Sequence, residues 1–208
     1  MSNVKAVFFD MDGVLIDARS WHYEALNEAL RIFGVEISLE KHLSRFDGLS
    51  TKRKLHLLSE EEGLPWELHS VIEAVKQDRL LRIAAQKCFP NVSHQILLSK
   101  LKRNGLQIGL VTNSIRKSTE IMLEYAGLLK FMDIVITNQD VANGKPSPEG
   151  YKLAMSKLGV ASTESLVVED GEHGIMAAMA AGIQVLRVEG PTDVSIELLL
   201  PKIPQLRG

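Results

Sequence analysis

The sequence predicts an α/β protein, a doubly wound parallel sheet interrupted after its first strand by an all-helical insertion. Short apolar runs, "LQIGLV", "MDIVIT", "SLVVED" and "IQVLRV", recur in the second half, each followed by a segment of helical spacing. Between the opening run "KAVFFD" and the second run, from about Ile16 to Lys87, only helical patterns occur. Strands that alternate with helices pair in parallel through right-handed crossovers. The long strandless stretch is therefore read as an insertion.

The first strand lies in "KAVFFDMDGVL", which ends in Asp10 and Asp12 with Gly13 behind them. Successive side chains of an extended chain alternate faces, so residues 10 and 12 point the same way if the strand continues. Two like charges in one small space are costly unless a cation neutralises them or their protonation differs. The same four residues also make an ordinary solvated turn.

The insertion begins with an apolar helical stripe of Trp21, Ala25, Leu26, Ala29, Leu30 and Phe33, followed by helical patterns in "TKRKLHLLSEEEG" and "WELHSVIEAVKQDRLLRIAA". Pro90, in "CFPNV", breaks the last of them. The expected division is a Rossmann-like α/β core of residues 1–15 and 88–208 and a helical cap of residues 16–87. Such a cap hangs over the carboxyl ends of the strands, where open α/β sheets bind ligands.

In the second half, Ile115, Thr119, Met122, Leu123 and Ala126 share one helical face, as do Tyr151, Ala154, Met155 and Leu158. Ser147 is read as an N-cap with Pro148 in the first turn, and Gly127 and Gly159 as helix stops.

Composition narrows the class. A chain of 208 residues, 45% hydrophobic and 24% charged, buries a sizeable core and does not have the composition of a disordered chain. A net charge of -2 with interspersed signs argues against a broad nucleic-acid surface, while leaving room for a local basic pocket. Cys88 is the single cysteine, which excludes an internal disulfide and a cysteine-rich metal site. No segment has the length of a membrane span or a secretory leader, so a cytoplasmic protein is expected, and a monomer, because no strong apolar stripe is left over.

Four strand ends then converge at one edge of a parallel sheet. They offer Asp10 and Asp12; Thr112, Asn113 and Ser114; Lys145 from a loop; and Glu169 with Asp170. Several carboxylates with a lysine and a hydroxyl make a hard oxygen site for Mg²⁺ beside a phosphate pocket.

In order, "DMDGVL", "VTNS", "GKPSPEGY" and "VVEDGEHG" resemble the four motifs of the haloacid dehalogenase superfamily of phosphohydrolases and phosphomutases, across the whole chain. The resemblance implies a Rossmann-like core and a Mg²⁺-dependent phosphatase acting on a small phosphorylated metabolite, most readily a sugar phosphate. It makes Asp10 the nucleophile that becomes an aspartyl phosphate, and Asp12 the acid and then the base, with its main-chain carbonyl on the metal. Thr112, the backbone at Asn113, and Lys145 would bind the phosphoryl oxygens. Asp170 would be a direct metal ligand, with Glu169 its partner through water or a bond to a ligand. Gly171 stands where the family often has serine. Asp12 itself favours phosphate esters over carbon–halogen or carbon–phosphorus bonds, whose branches generally lack that acid.

The cap resembles that of the β-phosphoglucomutase and small sugar-phosphatase group. His22, the "DGLSTKR" loop with Thr51, Lys52 and Arg53, and Lys76 are the cap candidates for substrate contact, although each of the lysines and Arg53 also suits a solvated helix surface. Thr51 stands where the mutases carry an arginine, which weakens a phosphosugar mutase without excluding it, since Lys52 and Arg53 are available to substitute, and the phosphatase is favoured. A non-catalytic Mg²⁺- and phosphate-binding regulator is the alternative of another class. The intact set Asp10, Asp12, Lys145 and Asp170 argues against it.

Overall fold

The computed structural model describes residues 4–203 and Leu206; the first three residues of the opening segment lie outside them. Strands β1 (Ala6–Phe9), β2 (Gln107–Val111), β3 (Ile134–Ile136), β4 (Ser165–Glu169) and β5 (Gln184–Arg187) form one parallel sheet in the order β3-β2-β1-β4-β5. Each strand falls within an apolar run read from the sequence.

Alternation sorts these runs onto two faces. Val7, Phe9, Ile108, Leu110, Leu166 and Val168 enter one apolar cluster, and Ala6, Phe8, Val111, Ile136 and Val167 enter another. Burial on both faces explains why the strands read as continuous hydrophobic stretches. Phe9 stands opposite both Leu110 and Val168, so Asp10 and Glu169 leave neighbouring strands at the same level.

The helices in chain order are α1 (Arg19–Arg31), α2 (Leu39–Lys41), α3 (Thr51–Glu62), α4 (His69–Lys87), α5 (Val92–Arg103), α6 (Arg116–Tyr125), α7 (Glu149–Leu158), α8 (Glu172–Ala180) and α9 (Ile196–Leu199). A π-helical turn, His42–Phe46, continues α2. Residues of the insertion build their own apolar cluster, in which Leu26, Leu30, Phe46, Leu55, Leu58 and Ile72 are buried. The apolar stripe of α1 is shared, however. Trp21 and Ala25, with Leu80, Ile83 and Ala84 of α4, belong to the main cluster under the sheet.

Two details differ from the sequence reading. Helix α1 ends at Arg31, so Phe33 lies in the turn beyond it and packs against the insertion's cluster from there. Helix α7 starts at Glu149, with Pro148 flanking it rather than inside its first turn, and Ser147 Oγ accepts from the Glu149 N–H at 3.4 Å. Helix α5, between the insertion and β2, is an element the sequence reading did not single out. Among the described residues no helix is long and apolar enough to cross a membrane.

Candidate active site

The shared level of Asp10 and Glu169 sets the floor of the site. Lys145, from the loop before α7, donates from Nζ to Asp10 Oδ1 and to Glu169 Oε1, each at 2.6 Å. All three side chains are nearly inaccessible, and the ammonium also lies 5.3 Å from the centre of the Tyr151 ring. Glu169 is fixed further, because Oε2 accepts from the backbone N–H groups of Asp170 at 2.8 Å and Gly171 at 2.9 Å. Gly174 makes room for it: a Cβ there would lie 1.5 Å from Glu169 Oε1.

Charge is crowded on this floor. Burial pushes the Asp10 carboxyl well above its ordinary pKa, Lys145 opposes this, and Glu169, Asp12 and Asp170 add to it. Burial alone would lower Lys145, but Asp10 and Glu169 outweigh it and hold the ammonium charged. Asp170 is pushed up to about 6 by burial and by Glu169, against Arg19. Carboxylate oxygens of Asp10, Glu169 and Asp170 all lie within 4.8 Å of one another. Hard oxygen donors at that spacing, with the proton affinities of two of them raised by burial and then by acidic neighbours, fit a small divalent cation.

Asp12 is held elsewhere. Strand β1 stops at Phe9, and the chain turns through Gly13 at φ +93°, so the two aspartates do not share one partner. Asp12 Oδ2 accepts from Ser114 Oγ at 2.8 Å, and Oδ1 is 3.0 Å from His22 Nε2. The latter contact lacks the alignment of a hydrogen bond. Burial raises the Asp12 pKa, but His22, Ser114 and Lys76 outweigh it and leave the carboxyl below its ordinary value. His22 Nδ1 in turn lies 3.0 Å from Lys76 Nζ, and burial together with Lys76 keeps the imidazole below its usual range despite Asp12. Gly13 also answers why a glycine follows the aspartates: a Cβ there would stand 2.1 Å from Asp170 Oδ2.

Both halves of the chain line one pocket over this floor. Thr112 is buried at its edge, and its Oγ1 accepts from the Ser114 N–H at 3.1 Å. Asn113 is more than a backbone contact. Its Oδ1 accepts from the Lys145 N–H at 2.9 Å, and its Nδ2 donates to the carbonyls of Lys145 at 3.0 Å and Gly48 at 2.8 Å.

From the insertion, His22, Thr51 and Lys76 line the pocket, whereas Lys52 and Arg53 do not and stay exposed. The lysine that turns inward is Lys54, 6% exposed. Ser50 caps α3, its Oγ accepting from the Arg53 N–H at 3.3 Å, and this fixes the helical phase. Thr51 and Lys54, three residues apart, then share the inner face while Lys52 and Arg53 face water. Arg19 was also missed from the sequence. It reaches Asp170 Oδ2 at 3.2 Å and donates to the Glu189 carbonyl at 2.9 Å. An arginine at a helix start carries no signal of such a long-range partner.

Residues 7–188 match the family described as haloacid dehalogenase-like hydrolase. The chain is 33% identical over 188 residues, 86% of this chain and 83% of the relative, to validoxylamine A 7'-phosphate phosphatase of Streptomyces hygroscopicus subsp. limoneus. It is 28% identical over 181 residues, 87% of this chain and 83% of the relative, to the phosphorylated carbohydrates phosphatase of Thermotoga maritima. The fold matches the crystal structure of β-phosphoglucomutase from Clostridium difficile with a TM-score of 0.83 at 22% identity, covering 97% of this chain and 98% of that one. The parallel sheet and the acidic edge are those of an α/β protein with its polar site at the carboxyl ends of the strands, and the family match shows that the chain belongs to the haloacid dehalogenase-like hydrolases. Within them it is a phosphoric monoester hydrolase acting on small phosphorylated substrates.

Proposed function

We propose that the chain hydrolyses the monoester of a phosphorylated carbohydrate through a covalent phosphoryl group on Asp10, with Mg²⁺ as cofactor and residues 16–87 as the cap. The observation that carries this reading is the different fixing of the two aspartates. Asp10 is held by the Lys145 ammonium on the acidic floor, and Asp12 is held by the Ser114 hydroxyl with His22 beside it. A nucleophile needs a positive charge beside it when it approaches a phosphate dianion, and an acid–base group needs its own proton path. One residue spacing supplies both.

In this reading an Asp10 carboxylate oxygen attacks phosphorus, and Lys145 neutralises charge on the transferring oxygens, which Thr112 and the backbone at Asn113 orient. Asp12, which its neighbours hold ionised in the free site, must first take up a proton; it then gives that proton to the departing alcohol and takes one from the water that hydrolyses the acyl phosphate. Asp10, Asp170 and the Asp12 carbonyl would hold Mg²⁺, with Glu169 orienting the floor through Lys145 and the backbone at 170 and 171. When bound, the ion supplies further positive charge at the phosphoryl oxygens. A relative named phosphorylated carbohydrates phosphatase supports this substrate class, and one named validoxylamine A 7'-phosphate phosphatase supports a small phosphorylated substrate.

The test is phosphate release from a panel of sugar phosphates, nucleotides and small phosphorylated acids, with Mg²⁺ and with chelator. Hydrolysis of a sugar phosphate that collapses with chelator and in Asp10→Asn supports the reading. Conversion of a hexose 1-phosphate to its 6-phosphate without phosphate release would replace it with a mutase.

A further inference from the structure

The buried face of α5 carries a histidine among leucines. His94 shares that face with Leu97, Leu98 and Leu101, is 1% exposed, and lies outside the pocket. Its backbone N–H donates at 3.1 Å to the Asn91 side chain that caps the helix, so the start of α5 fixes where the ring stands. Both ring nitrogens face backbone carbonyls: Nδ1 is 3.2 Å from that of Leu15, and Nε2 is 2.9 Å from that of Pro191. A histidine that only fills a core needs one acceptor for its single N–H. This one joins two segments from opposite ends of the chain.

Each segment presents a group of the site. Leu15 belongs to the turn that carries Asp12, in which the Met11 carbonyl accepts from the N–H groups of Val14, Leu15 and Ile16, and the Gly13 N–H donates to the Ile16 carbonyl at 2.7 Å. Pro191 belongs to the loop after β5, where the Glu189 carbonyl accepts from Arg19, which reaches Asp170 Oδ2 at 3.2 Å. The Pro191 carbonyl also accepts from the Val194 N–H at 3.3 Å, whereas the Leu15 carbonyl has no other hydrogen bond among the described residues. A neutral imidazole has one proton for these two acceptors, so one carbonyl always meets a lone pair. Burial lowers the proton affinity of the ring, and the two carbonyls offset this only in part. Asp12 and Asp17 by the turn, Glu189 and Asp193 in the loop and Lys100 further along α5 are the charged groups of these segments, and none of them contributes to it.

We propose that His94 is a proton-sensitive positioning residue, whose ring, from outside the pocket, fastens the turn that carries Asp12 to the loop that steadies Arg19 against Asp170. A ring released into water takes up its proton nearer pH 6.5, so acid favours the released ring and loosens the fastening. The kinetic arm of the test rests on the phosphatase reading; the other arms need no substrate.

The experiment measures amide hydrogen exchange of the free protein for residues 11–18 and 188–194, with β1 and β4 as internal references, in wild type, His94→Leu and His94→Gln. In His94→Leu, which fills the space without a donor, protection of both segments is expected to fall roughly tenfold while the strands keep theirs. His94→Gln, which retains one donor, should recover part of it. With an ester that the wild type hydrolyses, kcat should fall roughly tenfold in His94→Leu at nearly constant KM, because no pocket-lining group is altered. Between pH 7 and pH 5, and after allowance for intrinsic exchange, wild-type protection of the two segments should fall several-fold and that of His94→Gln stay level. Unchanged protection of either segment in His94→Leu, a loss spread equally over the strands, or parallel pH profiles overturns the proposal, as does a raised KM at constant kcat. If no ester releases phosphate, the phosphatase reading fails, and the exchange arms still decide the role of His94.

Discussion

The Lys145 ammonium lies 2.6 Å from Asp10 Oδ1 and equally close to Glu169 Oε1, so one buried cation is shared by two strand ends. Removing it leaves two buried carboxylates facing each other. Such a break costs about 3–5 kcal/mol, and the loss of a charged donor at a transferring group costs roughly 10²–10³-fold in turnover. Lys145→Met is expected to show both, the first by urea unfolding and the second by phosphate release. A folded variant of undiminished stability would mean that the pair is not the brace of the floor.

Asp10→Asn separates chemistry from stability in the opposite way. The carboxyl is held well above its ordinary pKa by burial and three acidic neighbours, so neutralising it relieves repulsion. Thermal unfolding without added cation is expected to be at least as high as in the wild type, while turnover falls by roughly 10⁴-fold or more. A clear loss of stability would show that the Lys145 attraction dominates.

Gly174→Ala tests the packing of Glu169. The added Cβ would lie 1.5 Å from Oε1, so the carboxylate must leave Lys145 or the helix start must shift. A cost of about 1–3 kcal/mol is expected, with a marked loss of turnover. Gly171→Ala is the control, because its Cβ would meet Glu169 at 3.8 Å, an ordinary contact. Equal effects of the two would point to backbone changes unrelated to Glu169.

His42 predicts an acid limb of stability. It is 2% exposed, and burial with Lys54 lowers its pKa to about 4, against Asp47. The folded state therefore keeps the imidazole neutral where the unfolded chain, near 6.5, takes up a proton. The unfolded state binds more protons, so stability is fully present above about 6.5 and falls as pH drops towards 4, by up to about 3 kcal/mol. Urea midpoints between pH 7 and 4 should fall more steeply for wild type than for His42→Gln. Parallel curves would remove His42 from the account.

The strands and the floor were legible because they obey short-range rules. A strand buried on both faces must read as an apolar run, and in a parallel sheet every such run ends at one edge. That placed Asp10, Thr112, Lys145, Glu169 and Asp170 together before any geometry was known. The cap was less legible, because its helical stripes give the buried faces but not the phase relative to the pocket. Lys52, Arg53 and Lys54 are chemically near-equivalent in sequence, and only the Ser50 cap, by fixing where α3 begins, decides which one turns in. Arg19 and Gly174 were illegible for a different reason: each answers to a side chain more than a hundred residues away or to a steric gap that only the folded chain contains. Strand alternation does not carry Asp10 and Asp12, because β1 ends at Phe9, yet the turn that follows still brings both to one pocket.

Asn113 grips the Lys145 loop with two hydrogen bonds and the Gly48 carbonyl with one. The single bond towards the insertion is worth on the order of 1 kcal/mol net. One neutral amide therefore couples the position of the floor lysine's backbone to that of the loop before α3, so a change that displaces either loop is felt by the other.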